Sequence, residues 1–210
     1  MKTYAIFLRG VMPSGKNSLK MADLRAALTA AGLAGVQTYI QSGNAVARSA
    51  LGPAKLEAWV QGVIATKIGP ELTVVVRTPL QLARILERNP FAVRAVQQAT
   101  TKAQTQTTAR PTTQATAQEA TPDTTARQYF SLLASAPEPS AVQALQQTDF
   151  SPDLVQLDGD TIYALYATKY SDSKFNNSYF ERKLKVAVTT RNFNTMTKML
   201  AMVRVLEARA

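Results

Sequence analysis

The chain has 210 residues, 46% of them apolar, a net charge of +10, and neither cysteine nor histidine. That length suits one large domain or two small ones. The missing residue types exclude disulfides, Cys/His zinc sites, Ser-His-Asp triads and cysteine nucleophiles, so no metal and no cofactor is expected, and acid–base chemistry would fall to carboxylates, lysine, tyrosine or water.

In chain order, residues 2–9 read as a strand and 18–31 as a helix, with Leu19, Met21, Leu24, Ala27 and Leu28 on one face and Ser18 as N-cap. Between them lies Arg9-Gly-Val-Met-Pro-Ser-Gly-Lys-Asn17, a small-residue loop carrying two cations. Gln37–Ile40 and Ala45–Arg48 read as strands joined by the turn Gln41-Ser-Gly-Asn44. Pro53–Lys67 reads as a helix with Leu56, Trp59, Val60, Val63 and Ile64 inward, Glu71–Arg77 as a strand, and Pro79–Arg88 as a helix. Thr, Gln and Ala dominate residues 97–126, too poor in large apolar groups to offset the entropy of ordering, so 92–127 reads as a linker or insertion. Gln128–Leu133 is then a strand and Ser140–Gln147 a helix. Leu154–Leu157 and Thr161–Tyr166 form a hairpin across Asp158-Gly-Asp160. Lys174–Leu184 is a helix, Val186–Thr189 is extended, and Asn192–Glu207 is the last helix.

The order β-α-β-β-α-β-α therefore occurs twice, over 1–91 and 128–210, which predicts an α+β protein of two tandem ferredoxin-like (split βαβ) subdomains with mostly antiparallel sheets and a C-terminal helix. The repeat reads as one of pattern and not of residues. The first part holds most of the charge excess, +7 over residues 1–91 against +2 for 92–127 and +1 for 128–210. A basic first half attracts anions. The apolar run at Met1–Leu8 is too short for a signal peptide, and no stretch reaches about 20 apolar residues, so a cytoplasmic protein with no membrane contact is expected. The sequence leaves the oligomeric state open.

Four motifs in order carry a resemblance: Leu8-Arg-Gly10 with Gly15-Lys-Asn17; Met21-Ala-Asp-Leu24; Thr38-Tyr-Ile-Gln-Ser-Gly-Asn44; and Thr189-Thr-Arg-Asn-Phe-Asn-Thr-Met-Thr-Lys198. Together they resemble the bacterial family called domain of unknown function (DUF) 1697, over residues 2–91 and 128–206. The resemblance implies a pair of ferredoxin-like units and carries no established activity. Met12, Pro13 and Ser14 depart from its loop pattern, and Pro13 removes a backbone donor from that stretch.

Several positions are candidates for ligand binding. The loop misses the phosphate-cradling pattern G-x-x-x-x-G-K-[ST] by one residue, with Asn17 in place of the hydroxyl. Its hairpin-rich surroundings and the ending Val76-Arg77, which lacks a metal-binding acid, argue against an NTPase. Arg9, Lys16 and Asn17 remain candidates for an anion site at a helix start. Ser42 and Asn44 offer polar contacts, or serve only the turn. Thr190 is expected to cap the last helix, placing Arg191 and Asn192 in its first turn, where a cation opposes the helix dipole unless Asp172 or a phosphate compensates it. Asn194 and Lys198 fall one turn apart. Lys174 completes the set. Asp158 and Asp160 read as turn formers.

In the split βαβ motif, loop 9–17 and turn 41–44 should emerge together. If the two sheets pack head to tail, Tyr170–Lys174 and Thr189–Asn192 should join them in one cleft. The expected function is a binding protein for a phosphate compound or nucleic acid. The alternatives are an enzyme on a phosphorylated small molecule, stabilising charge without His or Cys chemistry, and an interaction module working through 97–126.

Overall fold

The structure, a computed structural model, describes residues 1–92 and 124–209. Nearly all of the segment read as a linker, including 97–123, lies outside the described residues. Its last four residues, Thr124–Arg127, form a 3₁₀ turn.

The first half contains β1 (Lys2–Leu8), α1 (Met21–Ala30), β2 (Ala34–Tyr39), β3 (Asn44–Ser49), α2 (Pro53–Lys67), β4 (Val74–Arg77) and α3 (Pro79–Glu87). The second contains β5 (Gln128–Leu133), α4 (Pro139–Gln146), β6 (Leu154–Asp158), β7 (Thr161–Leu165), α5 (Asn177–Leu184), β8 (Val188–Asn192) and α6 (Phe193–Glu207). Each half forms a four-stranded antiparallel sheet, ordered β2-β3-β1-β4 and β6-β7-β5-β8. This is the expected α+β class with two ferredoxin-like units.

The unbroken apolar run of β1 follows from burial on both faces, since a sheet covered on one side only would alternate. Tyr4, Ile6 and Leu8 face α1 and α2, packing with Leu24, Leu28, Leu56, Val60 and Ile64. Ala5 and Phe7 face the other way, into a core built with Leu82 and Ile85 of α3, Met196, Met199 and Val203 of α6, and Phe130, Leu132 and Tyr163 of the second sheet. The last helix thus packs on the first half's sheet, and the two halves share a core. A third core fills the outer side of the second sheet, around Tyr166, Phe175, Phe180 and Leu184.

The halves correspond bond for bond. Leu8 N–H donates to Gly43 O at 2.8 Å, and Leu133 N–H donates to Asp160 O at 2.9 Å. Arg9 N–H donates to Thr73 O, and Ala134 N–H to Ala187 O. Ala5 pairs with Arg77 as Phe130 pairs with Arg191, and Phe7 with Asn44 as Leu132 with Thr161. Leu133, Asp160 and Arg191 therefore stand where Leu8, Gly43 and Arg77 stand in the first half. The exposed edge of each terminal strand is blunted alike: Glu57 of α2 accepts Val76 N–H at 2.7 Å, and Glu181 of α5 accepts Val188 N–H at 3.0 Å. A carboxylate on an otherwise open strand edge blocks pairing with another chain.

Several local expectations are corrected. Helix α1 begins at Met21 with Lys20 at its cap, not at Ser18; Ser18 instead donates to Pro13 O and belongs to the loop. Buried Leu19 pins the chain to the core before the helix starts. β2 starts at Ala34, earlier than expected, with a register irregularity beside Gly35. Helix α5 begins at Asn177, because the Asn176 side chain caps it by accepting Tyr179 N–H, so Lys174 precedes the helix. Thr190 does not cap the last helix. Strand β8 continues through Arg191, and Asn192 is the cap, accepting Thr195 N–H at 2.9 Å.

Candidate functional site

Loop 9–20 and the β2–β3 turn emerge together, as the topology requires. Gln41 Nε2 donates to Leu19 O at 2.6 Å. Gly43 packs so closely that a Cβ there would lie 2.7 Å from Val11 and 2.8 Å from Leu8. Its φ of +79° independently demands glycine. Asn44, fully buried, donates to Tyr39 O and to Ser42 Oγ, which locks the turn.

Strand β8 of the second half lies against this corner. Arg191 is only 8% exposed. Its Nε donates to Asn44 Oδ1. One terminal nitrogen donates to Thr189 Oγ1 and Thr190 O, and the other to Leu8 O, Ser42 O and Gly43 O. The guanidinium also lies over the Phe7 ring, 5.7 Å from its centroid. Thr189 Oγ1 donates to Leu8 O. Every acceptor is neutral, and Asp172, the expected partner, instead accepts from Ser171. Burial pushes the Arg191 guanidinium down to about 10, still well above neutrality, so a cation sits here without a carboxylate. With its donors filled internally, Arg191 is a clamp joining the halves rather than a hand offered to a ligand. The expectation that it opposes the helix dipole fails, because it ends a strand and precedes the cap.

Arg9 is likewise engaged. It makes a bidentate ion pair with Glu181, at 2.8 and 2.9 Å, each side chain about a quarter exposed. The hydrogen bond to Glu181 raises the Arg9 guanidinium above its usual range, against the cost of burial. Burial pushes the Glu181 carboxyl up, but hydrogen bonds from Arg9 and from Val188 N–H outweigh it and hold that carboxyl below the usual range. The Tyr170 ring stacks on Tyr129, 4.7 Å between centroids, and Tyr129 is the register partner of Asn192 on β8. Three of the four clusters thus meet by direct contact, and Tyr170 brings the fourth alongside.

The remaining candidates fall as follows. Lys16 is exposed on the loop. Asn17 is half-buried, with its side-chain amide beside Gly10 and its carbonyl accepting Met12 N–H. Ser42 is spent on Asn44 and Arg191. Lys174 is exposed over the Phe175 ring, 4.9 Å from its centroid. Thr190 lies on the other face of β8, bonded to Asn177 and Ser131. Asn192 is the helix cap, and Asn194 and Lys198 lie on the exposed side of α6. Exposed Lys169, in the loop before α5, is not among the residues singled out from sequence.

The corresponding corner of the other half carries its own clamp. Arg77, 5% exposed, donates to Leu133 O at 2.8 Å and pairs with Asp160 at 2.9 Å. Asp158 pairs with Arg88 at 3.4 Å. The two aspartates are therefore more than turn formers. All three ion pairs among the described residues join one half to the other. Sequence reasoning missed Glu181, Asp160 and Arg77, whose partners lie 70 or more residues away. One signal was present: in both halves an arginine follows a β-branched run and immediately precedes a helix cap, in Val75-Val-Arg-Thr78 and Thr189-Thr-Arg-Asn192.

Among the described residues, no helix is long and apolar enough to cross a membrane, and no group of three carboxylates is placed to hold a metal ion. No curated protein matches the chain. Its fold is similar to that of the conserved bacterial protein SP0830 from Streptococcus pneumoniae, at 22% identity and a TM-score of 0.66, over 96% of this chain and 98% of that one. The family model described as "Protein of unknown function (DUF1697)" matches residues 1–125, and the chain belongs to that family.

Proposed function

We propose that this protein binds a phosphate-bearing ligand where loop 9–20 and turn 41–44 meet β8 and the loop before α5. The observation that carries the reading is the contrast between the two clamps. Arg77 is neutralised by Asp160, whereas Arg191, its counterpart, meets only neutral acceptors, with Gly43 standing where Asp160 stands. Arg9 adds no net charge, because Glu181 cancels it. The Arg191 corner is thus one carboxylate short. A unit negative charge about 8 Å from such a buried cation gains about 2 kcal/mol at an effective dielectric constant of about 20. Lys16, Lys169 and Lys174 add positive charge from flanking loops; none forms an ion pair within 4 Å among the described residues, although the charge of Lys174 acts on Asp149.

The role is binding. The loop does not open a helix directly, and its strand belongs to an antiparallel sheet, so the geometry of a nucleotide-hydrolysing loop is missing. A thermal-shift screen against phosphorylated metabolites, nucleotides and short oligonucleotides tests the reading. It expects saturable stabilisation by at least one phosphate compound, weakened by salt. A shift that scaled only with ionic strength would refute it. A steep salt dependence confined to oligonucleotides would assign the ligand as nucleic acid.

A further inference from the structure

The internal repeat supplies its own control, since a connection that one half closes briefly shows what the fold itself requires. In the second half β5 reaches α4 through residues 134–138, while in the first half β1 reaches α1 through the much longer 9–20. In the first half β3 reaches α2 through 50–52, while in the second β7 reaches α5 through 166–176. Both elaborated loops belong to the Arg191 corner, and both short ones to the Arg77 corner. Arg9 opens the first long loop, and Tyr170 in the second stacks on Tyr129, 4.7 Å between ring centroids, whose register partner on β8 is Asn192, next to the clamp. The fold does not require this extra chain, and it is gathered beside the clamp that lacks a carboxylate.

Loop 9–20 is rich in donors. The N–H groups of Gly10, Val11, Ser14, Gly15, Lys16 and Asn17 find no acceptor among the described residues. Gly10 and Gly15 take φ of +78° and +82°, the left-handed conformation from which anion-binding turns of successive N–H groups are built. Such donors suit a compact group with three terminal oxygens and nearly two charges better than a diester, which shares one charge between two.

We infer that loops 9–20 and 166–176 form a binding site for the terminal phosphate of a small phosphate monoester, held by the unpaired N–H groups of Gly10, Val11 and residues 14–17 and by Lys16 and Lys169. This rests on the anion-binding reading above and goes further in naming the ligand class and the loops.

Isothermal titration calorimetry on the full chain tests it with adenosine 5′-monophosphate, glucose 6-phosphate, adenosine 3′,5′-cyclic monophosphate and an oligothymidylate without terminal phosphate. The variants are Lys16→Ala, Lys169→Ala and, as a control beside the short loop 50–52, Lys55→Ala. All three lysines are exposed, and unchanged melting midpoints verify their folding. At least one monoester should bind, weakened about 5-fold or more by each loop variant and not by Lys55→Ala. The diester should bind about 10-fold more weakly, and monoester affinity should fall as pH drops through about 6, where the second phosphate proton returns. The two monoesters distinguish a nucleotide from a sugar phosphate. Monoester binding indifferent to both loop variants, or diester and oligonucleotide binding as tight as the monoesters, would overturn the inference and leave the broader reading standing. Binding of none of these anions would overturn both.

Discussion

Replacing Arg191 by methionine isolates the clamp between the halves. The side chain now satisfies six acceptors. After its removal Leu8 O keeps Thr189 Oγ1 and Gly43 O keeps Leu8 N–H. Asn44 Oδ1, Ser42 O and Thr190 O lose the guanidinium with no replacement, Asn44 being fully buried and the two carbonyls only part-buried. A buried acceptor left unpaired costs about 1–3 kcal/mol, which applies in full to Asn44 Oδ1, while water can reach the two part-buried carbonyls, so the gross loss is about 2–4 kcal/mol. Against this, a desolvated cation with no counter-charge is removed, and methionine still covers Phe7. The expected net loss is about 2–3 kcal/mol, or about 5–10 °C in melting midpoint for a chain of this size. Urea unfolding measures it, followed by far-UV ellipticity and by the fluorescence of Trp59, the single tryptophan, which packs against the first half's core. Arg191 belongs to the second half but fastens the first, so both signals should shift together. A change under about 0.5 kcal/mol, or an ellipticity transition that moves while the Trp59 transition stays, would refute the clamp.

Other outcomes follow from the same geometry. Gly43→Ala forces a side chain into positive φ against Leu8 and Val11, and should cost about 3 kcal/mol in denaturant unfolding. Glu181→Gln should lose about 1–2 kcal/mol at pH 7. Because the folded carboxyl lies below its unfolded value, that contribution is present above about 4.5 and vanishes as pH falls through the folded value, so the two proteins should converge once the pH lies below it. Glu57 has the opposite sign. Burial, partly opposed by the bond from Val76 N–H and the charge of Arg77, raises its carboxyl, so its charged form is penalised in the fold. Wild type should therefore gain on Glu57→Gln as pH falls from 7 toward 5, and a gap that widens the other way would contradict the assignment. Asp160→Asn strips Arg77 of its carboxylate and should lower the melting midpoint measurably, with no effect on anion binding at the Arg191 corner.

The architecture was legible because each element wrote its own period. The twin β-α-β-β-α-β-α order, Pro53 and Pro79 at helix starts, and the Asp158-Gly-Asp160 turn are local signals with local causes. The meeting of loop 9–20 with turn 41–44 followed from topology alone. What stayed hidden was contact between halves. Nothing near Arg9 points to Glu181, and nothing near Arg191 says that carbonyls rather than an anion would fill its donors. Thr190 looked a better cap than Asn192 only because β8 was read too short; pairing with β5 carries the strand through Asn192. Ser18 failed as a cap for the opposite reason, since burial of Leu19 delays the helix until Met21.

The most direct test is a titration of isotopically labelled protein with a phosphate monoester, followed through its backbone amide resonances. The account expects the largest, saturable movements at Gly10, Gly15, Lys16 and Asn17 and at Lys169 and Tyr170, with the Arg77 corner still. Movements centred elsewhere, or spread evenly over exposed lysines, would contradict it.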